Sequence, residues 1–409
     1  MSFERLNEVS DDLITEVDKL SFVRSRLFDA LAPPKQNVVI LKGARGIGKS
    51  TLIQQFLSSQ QKKGNKVLYL SADSTLLDVG LAKLAHEYQK RGGIYLALDE
   101  IHKYDNWQSE VKTILDSFPG LKLIVSGSSS TNLDYASTDL SRRHIMLHAK
   151  GLSFREYLEK NQDIKLRCYS LKEILTHPKD ISQTIIKIFK ERQLDLLSFF
   201  KKYLREGYFL SRENYEFEVL YYDSLLNTIN GIIDVDLPYA HKAIDGLIKQ
   251  KIKLLLKHVA AKCPFTPNIS ELSKSLSIAN DNTLKKYLYY LSEAEVLINL
   301  YQANKSHKDF QRPQKIFLNN TNYAYAYEDN PVIGTVRETF AANCLKGQGE
   351  LTAPTFGDFC LNGEWVFEIG GRSKNKRQIK SVKQGYVFAD DITSVEHGNL
   401  PLWLLGFLW

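Results

Sequence analysis

The chain has 409 residues, enough for two to four domains that each bury a core of their own. Its 43% hydrophobic and 25% charged residues are ordinary for a soluble globular protein. The net charge of +7 is mild for this length, so it permits a nucleic-acid partner without requiring one.

The cysteines, the N-terminus and the hydropathy of the chain indicate a reducing compartment. The four cysteines form neither a C-x-x-C pair nor a ligand spacing with histidine, so neither a zinc site nor a disulfide framework is predicted. The first residues are charged and lack the apolar core of a signal peptide, and no apolar run approaches the length of a membrane span. We therefore expect a cytoplasmic protein with no membrane partner.

The first 35 residues are expected to be largely helical. Leu20, Val23, Leu27 and Leu31 recur at helical spacing before a pair of prolines. Because proline lacks a backbone N–H, the pair at residues 33–34 is expected to end the helix.

A glycine-rich segment between a buried strand and a helix is the strongest motif in the chain. Residues 37–42 predict the strand and residues 52–57 predict the helix. Glycines let successive backbone N–H groups turn toward a polyphosphate, and the helix N-terminus adds further donors. The pattern predicts an ATP-binding P-loop formed by Gly43, Ala44, Arg45, Gly46, Ile47, Gly48, Lys49, Ser50 and Thr51. Within it, Lys49 is expected to reach the β- and γ-phosphates and Ser50 to bind Mg²⁺.

Strands and helices alternate after this loop. Apolar strands are predicted at residues 66–71, 94–98, 121–125 and 144–147, with amphipathic helices after the second strand (Leu77, Leu81, Leu84, Ala85, Tyr88) and the third (Trp107, Val111, Ile114, Leu115, Phe118). This alternation predicts an α/β fold whose parallel sheet is covered on both faces. Ligands on such sheets bind at the carboxyl ends of the strands, where the P-loop, Asp99, Glu100 and residues 126–128 all fall.

Asp99 and Glu100 follow the third apolar strand and predict separate roles. In a P-loop nucleotidase an acid at this position orients Mg²⁺, so Asp99 joins Ser50 as a metal candidate. A glutamate directly after it can orient or deprotonate the attacking water, which makes Glu100 the catalytic candidate. A complete strand and helix separate the loop from these acids. This spacing favours the ATPase branch of P-loop proteins, which has an inserted sheet strand, over the kinase-GTPase branch.

The segments at residues 99–107, 123–129, 151–158 and 203–208 resemble motifs of one family. The family comprises prokaryotic AAA+-like P-loop ATPases with a C-terminal restriction-endonuclease-like domain of unknown function. The resemblance implies that Ser128, or Ser126, is the sensor that hydrogen-bonds the γ-phosphate or the water. It implies that Arg142 and Arg143 form an arginine element acting in cis or across a subunit interface of a homo-oligomer, unless they are ordinary surface arginines. Arg45 also resembles a family position, unless it faces solvent.

The middle of the chain predicts helices followed by a winged helix-turn-helix. Residues 160–240 show helical periodicity and no chemistry of their own; the acids at residues 234–236 have too little context for a metal site. Beyond residue 246, three helices precede two short strands that could pair as a wing. The third helix would present Asn280, Asn282, Lys285, Lys286 and Tyr289 outward, toward DNA if the module binds DNA. Winged helices also serve as spacers or protein contacts.

The last 80 residues resemble a restriction-endonuclease-like core. Asp358 and Glu368 match the strand acids that bind Mg²⁺ in such a core, and Glu338 matches the helix acid, giving a candidate second metal site. The expected Glu-x-Lys lysine is absent; Arg372, Lys374 or Lys376 could substitute. The alternative is a degenerate fold used for binding or assembly. Residues 400–409 are expected to form a last buried strand.

These features predict four segments and a nucleotide-driven function. The segments are an AAA+-like ATPase domain at 1–158, a helical connector at 159–244, a winged helix at 245–328 and a nuclease-like α/β domain at 329–409. The leading hypothesis is Mg²⁺-dependent ATP hydrolysis coupled to rearrangement of the last two segments, on DNA or with a protein partner. The alternatives are a nucleotide-dependent interaction switch or scaffold without nucleic acid, and an ATP-regulated nuclease.

Overall fold

The computed structural model describes residues 3–33, 35–72, 80–129, 144–302 and 312–409. These residues form two compact units. The first comprises Met1–Lys150 together with Val235–Ala243, and the second comprises Gly151–Asp234 together with Ile244–Trp409.

The first unit is an α/β layer structure. Its main elements in chain order are α1 (Phe3–Glu16), α2 (Ser25–Ala30), β1 (Val38–Gly43), α3 (Lys49–Lys62), β2 (Val67–Ser71), α4 (Leu81–Lys90), β3 (Tyr95–Asp99), α5 (Trp107–Ser117), β4 (Lys122–Ser128) and β5 (His144–Ala149). The strands form a parallel sheet in the order β2-β3-β4-β1-β5. Strand β4 therefore lies between the P-loop strand β1 and the acid-bearing strand β3, as the sequence predicted for an ATPase-branch sheet.

Amphipathic helices cover this sheet. Helix α4 buries Leu81, Leu84, Ala85 and Tyr88, which recur at helical spacing, against the same core as the strands. Helix α5 adds the face that begins with Trp107. This packing fixes the carboxyl ends of β1, β3 and β4 along one edge.

The helix expected across residues 20–31 is shorter than predicted. Only Ser25–Ala30 is helical, and Leu20 is exposed. Two tertiary hydrogen bonds hold the preceding residues out of the helix: the Gln55 amide donates to the Phe22 carbonyl at 3.0 Å, and the Arg24 guanidinium donates to the Lys150 carbonyl at 2.7 Å. The first 35 residues are otherwise largely helical, as predicted, at Phe3–Glu16, Val17–Lys19 and Ser25–Ala30. Between the last two of these helices, tertiary contacts overrode the local periodicity.

The second unit combines helices with a mixed sheet. Its helices are α6 (Phe154–Gln162), α7 (Leu171–Thr176), α8 (Pro178–Glu191), α9 (Leu196–Glu206) and α10 (Glu218–Gly231), then, after α11 (Leu237–Ala240) of the first unit, α12 (Gly246–Lys262), α13 (Ile269–Ser275), α14 (Asp281–Glu293), α15 (Thr321–Tyr327) and α16 (Ile333–Lys346). Its strands are β6 (Leu297–Gln302), β7 (Lys315–Leu318), β8 (Leu351–Ala353), β9 (Phe359–Leu361), β10 (Trp365–Gly370), β11 (Gly385–Ala389) and β12 (Leu400–Pro401).

The sheet of the second unit contains strands from both of the last two predicted segments. Its order is β12-β11-β10-β9-β8-β6-β7. Strand β6, from the predicted winged helix, pairs in parallel with β8 from the predicted nuclease-like segment. Because these backbone hydrogen bonds join the two segments, residues 245–328 and 329–409 are not separate compact bodies. Residues 151–158, which the prediction placed at the end of the ATPase domain, belong to the second compact unit, where Phe154 of α6 packs on Phe200 and Phe407.

The helical order predicted for residues 246–318 is present. Helices α12, α13 and α14 precede the antiparallel pair β6–β7, and Asn268 caps α13 by accepting from the Glu271 N–H. The expected terminal strand is wrong, because only Leu400–Pro401 is extended and Leu402–Phe407 forms a buried 3-10 helix. An all-apolar run carries no alternation that would favour strand over helix.

Candidate functional site

The P-loop connects β1 to α3 in the conformation that its glycines permit. Gly46 and Gly48 adopt positive φ angles of 84° and 85°, which side-chain-bearing residues rarely adopt. The buried Lys49 ammonium folds back into the loop, donating to the Gly43 carbonyl at 2.9 Å and the Ala44 carbonyl at 2.8 Å. Two backbone carbonyls at the start of the loop therefore hold the Lys49 ammonium.

Asp99 lies at the end of β3 within a set of hydroxyl groups. Its Oδ2 accepts from the Tyr69 hydroxyl at 2.5 Å, and its Oδ1 accepts from Ser126 of β4. The Tyr69 hydroxyl is also hydrogen-bonded to Ser50 and Gln54 of α3. One hydroxyl thus links both predicted metal ligands, Ser50 and Asp99. Burial, followed by the charge of Asp99, raises the pKa of Tyr69, so Tyr69 stays a hydrogen-bond donor.

Glu100 sits in a left-handed backbone conformation, with φ at 52°, directly after β3. Its Oε2 lies 3.6 Å from His102 Nε2 and 3.7 Å from Lys103 Nζ. Burial raises the pKa of Glu100, an effect that the charge of Lys49 opposes and that of Asp99 reinforces. A carboxylate with a raised pKa is a better proton acceptor, which suits the water-activating role predicted for it.

The two serines of β4 have different partners. Ser126 bonds Asp99 and lies within 3.3 Å of the Glu100 backbone N–H, so it organises the acids. Burial raises the pKa of Asp236, an effect that the charges of Arg45 and Lys103 and a hydrogen bond with Ser128 oppose. Ser128 is thus the serine that faces the Asp236 side of the site. Both serines are buried, at the strand end that the sequence predicted.

Asp236 is a site residue that the sequence analysis missed. It ends the π-helical turn Ile232–Asp236 and belongs to the stretch Val235–Ala243 of the first unit. Its Oδ1 accepts from Arg45 Nη1 of the P-loop at 3.2 Å. Nearby Tyr239 packs edge-on to the His102 ring, with ring centroids 6.5 Å apart. The only sequence signal was the short acidic stretch, because pairing across about 190 residues leaves no local pattern.

The arginine element predicted at Arg142 and Arg143 lies outside the described residues, as does Leu77 of the predicted α4 face. Arg45 of the P-loop does lie within the described residues, and it forms an ion pair with Asp236.

The three acids proposed for a second metal site lie near one another in the second unit, with two lysines among them. Lys315 Nζ lies 2.5 Å from Glu338 Oε2 and 3.6 Å from Asp358 Oδ1, and Lys374 pairs with Glu368. Burial raises the pKa of Glu338 and of Glu368, and the neighbouring charge of Asp358 adds to both shifts. Over the described ranges, no three His, Cys, Asp or Glu side chains are grouped closely enough to hold a metal ion. Lysine, rather than an open carboxylate group, is the main partner of these acids.

The exposed face of α14 carries the residues predicted for it. Asn280, Asn282, Lys286 and Tyr289 are exposed and Lys285 is half-buried. Asn280 is also the N-cap of the helix, since its side chain accepts from the Thr283 N–H.

Comparison with known proteins assigns the class of the first unit. Residues 35–158 match the AAA_14 family model, described as an AAA domain. Together with the parallel sheet and the P-loop, this match defines an AAA+-like P-loop domain. No curated protein matches the chain.

Similarities to solved structures are weak. The replication initiator DnaA bound to AMPPCP and single-stranded DNA has 15% identity and a TM-score of 0.28, covering 71% of this chain and 89% of that chain. AMPPCP-bound DnaA from Aquifex aeolicus has 15% identity and a TM-score of 0.26, covering 66% and 85%. C. elegans PCH-2 has 13% identity and a TM-score of 0.25, covering 39% and 46%. At these TM-scores the similarities carry no argument about function.

Across the described residues, no helix combines the length and the apolar character that crossing a membrane requires.

Proposed function

We propose that the first unit binds Mg²⁺-ATP and hydrolyses it. The observation that carries this proposal is the convergence of the P-loop, Asp99, Glu100 and the β4 serines at one sheet edge. Strand order puts β4 between β1 and β3, so the phosphate-binding and acidic groups face one another across a single strand. Ligands of parallel α/β sheets bind at this edge.

The chemistry of the donor set fits a hard cation. Ser50 and Asp99 supply a hydroxyl and a carboxylate, and both are hydrogen-bonded to Tyr69. Oxygen ligands of this kind suit Mg²⁺, which when bound would neutralise charge on the phosphates. In this proposal Lys49 binds the β- and γ-phosphates, Glu100 accepts a proton from or orients the attacking water, and Ser128 senses the γ-phosphate.

Two substitutions with matched controls test this function. Lys49→Ala should abolish tight ATP binding, whereas Lys63→Ala, at the exposed far end of α3, should leave binding unchanged. Glu100→Gln should retain ATP binding and lower turnover by about 100-fold or more, whereas Glu87→Gln on α4 should hydrolyse like the wild type. Normal hydrolysis by Glu100→Gln would refute the catalytic assignment.

We further propose that this hydrolysis is coupled to the second unit acting on DNA. The exposed Asn282, Lys286 and Tyr289 on α14 support the proposal, because amide, ammonium and aromatic groups contact phosphates and bases. ATPase rates should rise with duplex or single-stranded DNA and the stimulation should fade with salt, as counterion release requires. Lys286→Ala should weaken binding, and Lys187→Ala on α8 should not. Turnover indifferent to DNA would instead favour an interaction switch that engages a protein partner.

A nuclease is the third candidate, and one contact favours it. Lys374 reaches Glu368 from outside the Glu-x-Lys position, so the displaced lysine considered from sequence does meet the acid. Metal-dependent DNA cleavage that is lost in Asp358→Ala and Glu368→Ala would establish it. Cleavage that persists in both variants would exclude this site as its source.

The arginine element remains part of the proposal. Arg142 or Arg143 would neutralise transition-state charge in cis or from a neighbouring copy of a homo-oligomer. Mixing Arg143→Ala protein with Lys49→Ala protein should restore hydrolysis if the arginine acts across an interface. Mixtures with only the sum of the separate activities would exclude action in trans.

A further inference from the structure

The stretch Val235–Ala243 brings an acid to the P-loop that the ATPase motifs do not account for. Asp236 is 1% exposed, and its Oδ1 bonds Arg45 Nη1 at 3.2 Å. Its Oδ2 is also buried and has no hydrogen-bond partner among the residues that the structure describes. The carboxylate is therefore engaged by Arg45 and Ser128 and keeps one oxygen that could accept a further N–H.

Arg45 is far more exposed than Asp236. Its side chain is 42% exposed, and it stands three residues before Gly48 in the segment whose backbone curls around the phosphate position. A guanidinium has five N–H donors in a fixed plane, so it can bond a carboxylate on one edge and a phosphate on another. When a buried carboxylate binds one edge of the guanidinium, the orientation of the other edge is restricted.

The surrounding charges favour a positioning role over direct phosphate contact by Asp236. Lys49 and Lys103 act on its carboxyl together with Arg45, and Glu100 is close enough for its pKa to be raised by the charge of Asp236. A second carboxylate beside a γ-phosphate would repel it unless a cation lies between them. Arg45 is placed to be that cation.

We propose that Asp236 is a positioning residue that orients the Arg45 guanidinium toward the γ-phosphate of ATP. Arg45 then stabilises the negative charge that develops on the transferred phosphoryl group. This inference rests on the proposed ATPase function, and it supplies the P-loop with an arginine in cis. Asp236 itself touches neither the nucleotide nor the water.

Steady-state ATPase kinetics of the full chain test the proposal. Arg45→Ala should lower kcat by about 100-fold, and Asp236→Asn, which keeps the shape but not the charge, should lower it by about tenfold. The KM for ATP and the Kd for AMPPCP should stay within about twofold of wild type. The matched control is Asp234→Asn, because Asp234 forms a more exposed ion pair with Lys253 at 2.6 Å.

The double variant distinguishes positioning from an independent effect. If Asp236 acts through Arg45, Arg45→Ala with Asp236→Asn should lose about 100-fold in kcat, as Arg45→Ala does alone. Independent effects would multiply to about 1,000-fold. Arg45→Lys should recover less than full activity, since an ammonium cannot bridge two acceptors in the same planar geometry.

The opposing outcomes are separate from failure of the ATPase proposal. Unchanged or increased kcat in Asp236→Asn would overturn the positioning role, and so would a raised KM at unchanged kcat. If Asp236→Asn fails to fold, Arg45→Ala still tests the proposal, because the exposed Arg45 side chain can be removed without opening the core. A wild-type chain that does not hydrolyse ATP refutes the ATPase function itself, and the positioning role falls with it.

Discussion

His102 provides a direct test of the electrostatics at this site. Its side chain is 3% exposed, and neither ring nitrogen has a hydrogen-bond partner among the described residues. Burial lowers the pKa of His102 from 6.5 to about 4, and the charges of Lys103 and Lys49 add to the shift. Because the folded state binds a proton less readily than the unfolded state, stability should fall as the pH drops from about 6.5 to about 4.

The size of the effect follows from the pKa shift. Lowering the pKa of His102 from 6.5 to about 4 corresponds to about 3 kcal/mol in total, since a tenfold change in proton affinity is worth about 1.4 kcal/mol. Between about pH 7 and about pH 5, linkage gives a loss of about 2 kcal/mol from this residue alone. That is a large fraction of the free energy of unfolding of a typical domain.

The assay is urea-induced unfolding of the full chain at both pH values, for the wild type and for His102→Phe. Phenylalanine keeps an aromatic ring against Tyr239 but does not titrate, so other groups cancel in the comparison. The pH-dependent loss should be about 2 kcal/mol smaller in the variant. His177→Gln, at a side chain 67% exposed, is the control and should behave like the wild type. Equal pH dependence in His102→Phe and the wild type would refute the reasoning.

Three further substitutions test the site. Tyr69→Phe removes the hydroxyl that bonds Asp99, so the Mg²⁺ concentration for half-maximal ATPase should rise about tenfold; an unchanged value would exclude a metal role. Gly43→Ala would place a Cβ 2.3 Å from the Ala149 carbonyl oxygen of β5 and should cost about 1–3 kcal/mol, visible as a lower Tm. Glu100→Gln should unfold at or above the wild-type Tm at neutral pH, because a carboxyl with a raised pKa loses stability as it ionises; a clearly lower Tm would contradict this.

Local patterns were sufficient to predict the α/β fold of the first unit. The apolar strands and the glycine loop are consecutive in sequence, and a parallel sheet brings the carboxyl ends of its strands to one edge. Asp99, Glu100 and Ser126 could therefore be placed before their contacts were known. Tyr69 could not, because a tyrosine inside an apolar strand looks like an ordinary core residue.

Long-range pairing explains the misses. Asp236 meets Arg45 across about 190 residues, and nothing near residue 236 records that contact. Strand β6 pairs with β8 as well as with β7, and the β6–β8 pairing was missed because it joins two segments about 50 residues apart. The contact of Lys315 with Glu338 in the second unit was missed for the same reason.

The membership of Val235–Ala243 in the first unit bears on how this protein can be dissected. The polypeptide passes between the two units at residues 150–151, 234–235 and 243–244, so cutting one linker does not separate them. A recombinant fragment ending at Lys150 would contain every P-loop motif yet lack Asp236 and Tyr239. Such a fragment would leave Arg45 without its carboxylate and His102 without its ring neighbour. A minimal ATPase should instead carry residues 235–243 on a designed linker or receive them as a peptide.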